Sequence, residues 1–263
     1  MSIAFTGRMA QLQQAAARTA DYAARRAAMA QAIRPLLGET LLEIGCGGGD
    51  LLRDLAEGVG TNGRVCGIDL SADQIAAAQA NCSAFPNVEL EVGSALELPY
   101  PAAAFDAVVT MQVLEYMPDV PRAVAEMRRV LRAGGRVVNF ATNWGALYWN
   151  SSDPARTRRI LNAFDAHAPH PNMPAQLGAI LELGGFRDIQ RAPMTILNTS
   201  YGPESLSHIL AHMISAFLTD RALITQSTAE QWLADLADMD ARHEYMFCST
   251  AVITQATAQS RLG

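Results

Sequence analysis

Between Thr40 and Ala141 the chain alternates short apolar runs with amphipathic segments, and that alternation narrows the folds open to it. The runs are Leu41 to Ile44, Arg64 to Asp69, Asn87 to Val92, Phe105 to Thr110 and Arg136 to Ala141. Between them, from about Gly48 to Glu57, Ala72 to Ala84 and Val120 to Leu131, the apolar residues fall at helical spacing. Strands alternating with helices at this interval predict βαβ units and a parallel sheet covered on both faces.

Flanking segments complete the expected architecture. From Arg8 to Ile33 strong helix formers dominate, which predicts one or two helices ending before Pro35. In the second half, helical patterns cover Pro154 to Asp165, Pro203 to Leu218 and Ala229 to His243, and a proline-rich connection runs from Pro169 to Pro174. Strand patterns at Phe186 to Met194 and Phe247 to Thr254 supply two late strands. The expectation is an α/β chain with a Rossmann-like, doubly wound, seven-stranded, mostly parallel sheet. Its length of 263 residues, half of them apolar, suits one sizeable core. We therefore expect a single domain over 1–263: a helical cap at 1–38, a cofactor-binding core at 39–142, and substrate-cover helices with the last two strands at 143–263.

Gly45, Gly47 and Gly49 follow the first strand and open a helix, where glycine permits positive φ and lets a ligand approach the backbone. A dinucleotide fingerprint would require one more glycine where Asp50 stands. The turn lies between Glu43 and Asp50, and two carboxylates disfavour a pyrophosphate but suit a ligand with ammonium and sulfonium charges. Asp69 ends the second strand just before Ser71, a good N-cap, so its carboxylate sits at the carboxyl edge of the sheet, able to accept both ribose hydroxyls. The carboxylates beside the turn favour S-adenosylmethionine over NAD, while the role of Asp69 is common to both cofactors and supports a nucleoside.

Several classes of partner are disfavoured. The net charge of -6 is spread along the chain and Lys and Arg never form a block, whereas duplex nucleic acid needs a clustered basic surface. No apolar run approaches the roughly 20 residues of a membrane span, and the N-terminus lacks the layout of a signal peptide. Four cysteines without C-x-x-C spacing read as reduced thiols in a cytoplasmic protein. His208 and His212 have metal-site spacing, but Ile209 stands where a zinc protease carries glutamate and no third ligand presents itself, so no metal is expected.

The motifs LLEIGCGGGDLL, VCGIDLS, VELEVGSALELPYP, FDAVVTMQVLEYMPD and EMRRVLRAGGRVV occur in this order over roughly Ala23 to Thr142. In them the chain resembles the class I S-adenosylmethionine-dependent methyltransferases, in particular the small-molecule branch that methylates quinone precursors, sterols and natural products. The resemblance implies that Glu43, Gly45, Gly47 and Gly49 embrace the methionine portion, Asp69 the ribose, and Leu70 the adenine. Ser94 and Ala95 would meet the adenine edge, with Ser94 standing where the family usually has an acidic residue. A neutral hydroxyl is the weaker acceptor there. Met111 and Gln112 match positions at the methionine end, beside Leu114, Glu115 and Tyr116. Tyr116 stands where relatives often carry histidine, so no role of that histidine transfers.

The implied reaction is in-line transfer of a sulfonium methyl group to O or N of a small, aromatic or heterocyclic metabolite, releasing S-adenosylhomocysteine. Alternatives are carbon methylation of a quinone-like precursor and a cofactor-binding subunit without catalysis. A sulfonium is already activated, so alignment in a dry pocket is the main requirement and a base is optional. His167 and His170, in the proline-rich connection, are the candidate bases. The aromatics Trp144, Tyr148 and Trp149, in the loop after the fifth strand, suit either a flat substrate or the packing of the next helix.

Overall fold

The computed structural model describes residues 7–259. Two helices come first, α1 (Gly7–Ala17) and α2 (Ala20–Ile33). Then follow β1 (Thr40–Ile44), α3 (Asp50–Val59), β2 (Arg64–Asp69), α4 (Ala72–Asn81), β3 (Val88–Val92) and β4 (Phe105–Met111). Next are α5 (Val120–Val130), β5 (Leu131–Thr142), β6 (Tyr148–Trp149), α6 (Pro154–Phe164) and α7 (Met173–Leu183). The described chain closes with β7 (Phe186–Asn198), α8 (Leu206–Asp220), α9 (Gln226–Ala241) and β8 (Phe247–Ala258).

These residues fall into two compact units. A sheet unit takes Arg26–Ala141, Met173–Pro193 and the chain from Val252 onward. A helical unit takes the chain up to Arg25, Thr142–Asn172 and Met194–Ala251. The breaks fall inside α2, at the end of β5, just before α7, inside β7 and inside β8.

In the sheet unit the strand order is β3-β2-β1-β4-β5-β8, with β7 also on β8. The pairs among β1 to β5 are parallel, with Glu43 beside Gly67 on one side and Val109 on the other. Strand order therefore reverses at β1, between β2 and β4. That is the switch point at which open α/β sheets hold ligands, and it lies beyond the strands' carboxyl ends. Parallel strands are covered on both faces, which is why Leu41, Leu42, Val108, Val109, Val137 and Val138 are all buried on strands that read as continuous apolar runs. The covering helices show one apolar stripe each. In α3 it is Leu51, Leu52, Leu55, Ala56 and Val59; in α5 it is Val120, Ala123, Val124, Met127 and Val130. Asp119 caps α5, accepting from the Arg122 amide at 3.0 Å, and Pro121 occupies the first turn, where a missing amide donor does no harm.

The helical unit has its own core, dominated by Trp144, Trp149, Phe164, Phe217, Trp232 and Phe247. Here β6 pairs antiparallel with the start of β8, Trp149 opposite Phe247. Counting β6, the described residues form eight strands rather than the expected seven. A two-residue strand is too short for any periodicity to reveal. The second departure is α7, which begins inside the stretch taken for a proline-rich connection. Pro174 is its second residue, a position in the first turn where proline fits a helix. Trp144 and Trp149 are buried, Trp144 edge-on to Phe164 of α6 and Trp149 against Trp232 of α9 and Phe247 of β8, so Trp144 packs the helix that follows and Trp149 the later elements. Tyr148 is exposed. Among the described residues no helix is long and apolar enough to cross a membrane.

Candidate active site

β1 ends in Glu43 and Ile44, and the chain then turns through three glycines with φ of 69° at Gly45, 51° at Gly47 and 83° at Gly49. A Cβ at Gly45 would overlap the Val113 side chain, which follows β4 across the switch point. A Cβ at Gly49 would lie 3.0 Å from Cys82 Sγ and 3.1 Å from Ala78 Cβ, so this glycine lets α3 and α4 come together. Gly47 differs, since a Cβ there would meet only Gln74 Oε1, at 3.8 Å. Its space is open.

The turn is tied to β2. Gly45 and Cys46 donate to the Ile68 carbonyl at 2.7 and 3.1 Å, and Gly47 donates to Asp69 Oδ2 at 3.0 Å. The other oxygen, Oδ1, accepts from the Ser71 amide at 2.9 Å. Ser71 in turn caps α4, accepting from the Gln74 amide. Asp69 thus fixes both the glycine turn and the start of α4 while its side chain remains half-buried.

Glu43 is 2% exposed, and its Oε2 has no hydrogen-bond partner. Burial, reinforced by the charges of Asp50, Asp54 and Asp69, pushes its carboxyl well above the usual carboxylate range. Asp54, one helical turn into α3, is itself paired with the Arg26 guanidinium at 3.1 Å. Burial, with Glu43 and Asp69 adding to it, also raises the Cys46 thiol, leaving it an inert packing group.

Leu70, next to Asp69, is 77% exposed, while Ala95 is buried. Ser94 Oγ accepts from the Leu96 amide at 3.1 Å, so this hydroxyl stabilises its own turn. That turn is clamped from α5. The Arg122 guanidinium donates to the Leu96 carbonyl, Arg129 to the carbonyls of Leu98 and Tyr100, and Glu126 accepts from the Leu98 amide. Arg129 and Glu126 pair at 2.7 Å, and the guanidinium holds the Glu126 carboxyl below its ordinary range. Sequence reasoning missed this clamp, although its signal was present as a Glu and an Arg three apart in EMRR. It also missed Val113, because nothing in the sequence announces which side chain fills the space left by Gly45.

At the end of β4, Met111 and Gln112 are half-buried, and Gln112 has φ of 56°, unusual for a residue with a side chain. Its amide donates to the Phe140 carbonyl at 2.8 Å, so the chain is held in that conformation where β4 leaves the sheet. The following 3-10 turn, Leu114–Tyr116, buries Leu114 and Glu115.

The sheet unit therefore brings together Glu43, Gly45, Gly47, Gly49 and Asp69 around the end of β1. The two histidines belong to the helical unit. His167 is 1% exposed, stacked on Phe164 at 3.9 Å and edge-on to Trp144 at 4.8 Å, with Nδ1 2.6 Å from the Phe164 carbonyl. Burial pushes it down to about 4, which keeps the ring neutral, and a neutral Nδ1–H is then the donor to that carbonyl. His170 is half-buried in the connection that follows.

These residues fit a nucleoside ligand bearing positive charge. A buried, unpartnered carboxylate oxygen calls for a cation or donor, and open space over Gly47 leaves the backbone approachable. A pyrophosphate would meet the carboxyl groups of Glu43, Asp50 and Asp69 instead.

Comparison with known proteins agrees. Residues 42–139, all within the sheet unit, match a family model described as a methyltransferase domain. The chain is 39% identical over 172 residues to a 2-phytyl-1,4-naphtoquinone methyltransferase of Thermosynechococcus vestitus, covering 60% of this chain and 76% of that protein. It is 38% identical over 122 residues to an uncharacterized 37.1 kDa protein in transposon TN4556 of Streptomyces fradiae, where the match covers 46% of this chain and 35% of the relative. The chain thus spans about a third of that relative's length. Among solved structures, phosphoethanolamine N-methyltransferase 2 of Haemonchus contortus, bound to phosphomonomethylethanolamine and S-adenosylhomocysteine, superposes with a TM-score of 0.59. Identity there is 18%, over 90% of this chain and 53% of the other, a likeness of fold. On its glycine turn, its Asp69 and these matches, the chain belongs to the S-adenosylmethionine-dependent methyltransferases.

Proposed function

We propose that the chain transfers the methyl group of S-adenosylmethionine to an oxygen or nitrogen of a small, ring-bearing metabolite. The observation that carries the cofactor half of this reading is the unpartnered Oε2 of buried Glu43 beside the open Gly47. In this reading Glu43, Gly45, Gly47 and Gly49 hold the methionine portion and Asp69 accepts from the ribose hydroxyls. The exposed Leu70 side chain and Ala95 flank the adenine, Ser94 meets its edge, and Met111 and Gln112 border the methyl-bearing end. When bound, the cofactor supplies a methyl group on a positively charged sulfur, already primed for displacement.

The protein's tasks are then to align, to exclude water and to hold charge. Glu43, ionised, balances positive charge. An acidic phenol or a neutral amine needs little help from a base, and an alcohol needs one. Of the two candidate histidines, His170 keeps the exposure a base requires, while the contacts of His167 suit a packing role.

Carbon methylation of a quinone-like ring is the second reading, favoured by the relative named a 2-phytyl-1,4-naphtoquinone methyltransferase. One experiment addresses both. Purified protein is incubated with methyl-labelled S-adenosylmethionine and a panel of phenols, aromatic amines and hydroquinones, and S-adenosylhomocysteine release is followed. Methylated oxygen or nitrogen in the product supports the first reading, and a new carbon–methyl bond the second. Cofactor binding with no acceptor consumed across the panel would leave a binding subunit without catalysis.

A further inference from the structure

We propose that Arg26, Asn81 and Cys82 are positioning residues for the cofactor: they take the three successive carbonyls that follow Gly47 and so hold the glycine turn in its ligand-ready form before any ligand arrives. The inference rests on the reading of this turn as the S-adenosylmethionine site, and every residue in it belongs to the sheet unit.

The start of α3 is supported unlike that of its neighbours. Five helices, α4, α5, α6, α8 and α9, begin at a Ser, Asp or Thr whose side chain accepts from a first-turn amide. α3 begins at Gly49, which has no side chain to do so. Its support comes instead from the carbonyl side. Asn81 Nδ2 donates to the Gly48 carbonyl at 2.8 Å, Cys82 Sγ to the Gly49 carbonyl at 3.6 Å, and Arg26 Nη1 to the Asp50 carbonyl at 2.9 Å. Burial pushes the Cys82 thiol up to about 11, so it stays protonated and able to donate. The same Arg26 nitrogen pairs with Asp54 at 3.1 Å, which anchors the guanidinium on α3.

In a trans peptide the carbonyl and the amide of the next residue point opposite ways. Holding the carbonyls of Gly48, Gly49 and Asp50 therefore fixes the amides of Gly49, Asp50 and Leu51. The Gly49 amide is taken by the Cys46 carbonyl at 3.0 Å, whereas those of Asp50 and Leu51, in the uncapped first turn of α3, face out of the helix end. Four glycines between Gly45 and Gly49 give this stretch wide backbone freedom, and a clamp from outside removes that freedom ahead of binding. Glycine at 49 also admits the clamp, since a Cβ there would lie 3.0 Å from Cys82 Sγ.

The test measures S-adenosylhomocysteine binding to the full chain by calorimetry, together with amide hydrogen exchange over residues 45–52 in the ligand-free protein. Asn81→Ala trims an exposed side chain and leaves the core intact, and Arg26→Met keeps the aliphatic stem. Each should weaken binding by about fivefold, the fold-change of one net hydrogen bond, because a clamp shifts affinity by no more than its own preference for the ligand-ready turn. Exchange over residues 45–52 should speed up in both, and exchange in β4 should not. Arg26→Lys, which keeps a donor and the charge, should recover most of the affinity. Arg64→Gln, which removes the exposed ion pair to Glu89, should change neither measurement. Parent-like affinity in folded Asn81→Ala and Arg26→Met proteins would overturn the clamp and leave the methyltransferase reading standing. Weaker binding without faster exchange in the turn would overturn it as well. Failure of the parent protein to bind S-adenosylhomocysteine would overturn the cofactor reading itself, and the clamp with it.

Discussion

The Gly47 amide and the Asp69 carboxylate are joined at 3.0 Å, so the residue that closes β2 also sets the conformation of the turn after β1. One side chain thereby serves the backbone and, in the proposed function, the ribose. Its second oxygen is engaged by the Ser71 amide, which means that a ribose must share or displace these bonds. Asp69→Ala should therefore weaken S-adenosylmethionine binding by about 100-fold or more, on the scale of two hydrogen bonds to a charged group. Asp69→Asn keeps an acceptor for one amide and should fall between. Calorimetric titration of the three proteins decides it, and equal affinities would remove Asp69 from the site.

Gly45 and Val113 make a separable pair. Gly45→Ala suffers from a φ of 69° and from overlap with Val113. The two effects together should lower stability by about 2–4 kcal/mol. Adding Val113→Ala relieves the overlap and leaves the backbone strain, so the double variant should recover part of the loss. Denaturant unfolding of the four proteins gives the coupling directly. A coupling of zero would show that the turn relaxes away from Val113.

The sheet and the glycine turn after β1 were legible because each follows from local chemistry. A strand buried on both faces must be apolar throughout, and a turn with positive φ selects glycine, so Leu41 to Ile44 followed by Gly45, Gly47 and Gly49 announces itself. What stayed hidden depends on partners distant in sequence. Val113 is 68 residues from Gly45, and only the parallel pairing of β1 with β4 brings them together. Only half of the Arg129 clamp is written in the sequence: its pairing with Glu126 shows in EMRR, whereas its partners on Leu98 and Tyr100 are backbone carbonyls, which every residue supplies. α7 was hidden by composition, since the prolines around Pro174 read as loop although one of them sits in the first helical turn. His167 could not be assigned because its surroundings, Phe164, Trp144 and Phe217, are set by packing within the helical unit.

Glu43 should trade stability for affinity. Its carboxyl titrates above the ordinary value of 4.5 in the folded protein, so between that pH and its folded value the folded state holds a proton that the unfolded state has lost. Stability contributed this way declines as pH rises through the window. Glu43→Gln removes the titration, and at pH 8 the variant should melt at a higher temperature than the parent while binding S-adenosylmethionine more weakly. Cofactor binding to the parent should also release a proton, visible as a dependence of the calorimetric enthalpy on the buffer's ionisation enthalpy. A variant that melts lower and binds as the parent does would refute this account.

His167 should matter for acid stability and not for the pH profile of turnover. Burial among three aromatic rings lowers it from 6.5 to about 4, so between these values the unfolded state binds a proton that the folded state refuses. Stability is then lost as pH falls from 6.5 toward 4, by up to about 3 kcal/mol for a shift of this size. His167→Phe keeps an aromatic ring beside Phe164 but gives up the bond to the Phe164 carbonyl at 2.6 Å. It should unfold more easily at pH 8 by about 1 kcal/mol and lose less of its stability on acidification. Unfolding by urea at pH 8, 6 and 5 measures both effects. With any accepted substrate, kcat/KM between pH 6 and 9 should follow the same curve in parent and variant, because a ring already neutral throughout that range contributes no titration to it. An acidic limb, with activity falling as pH drops, that disappears in His167→Phe with the fold intact would return His167 to the role of general base.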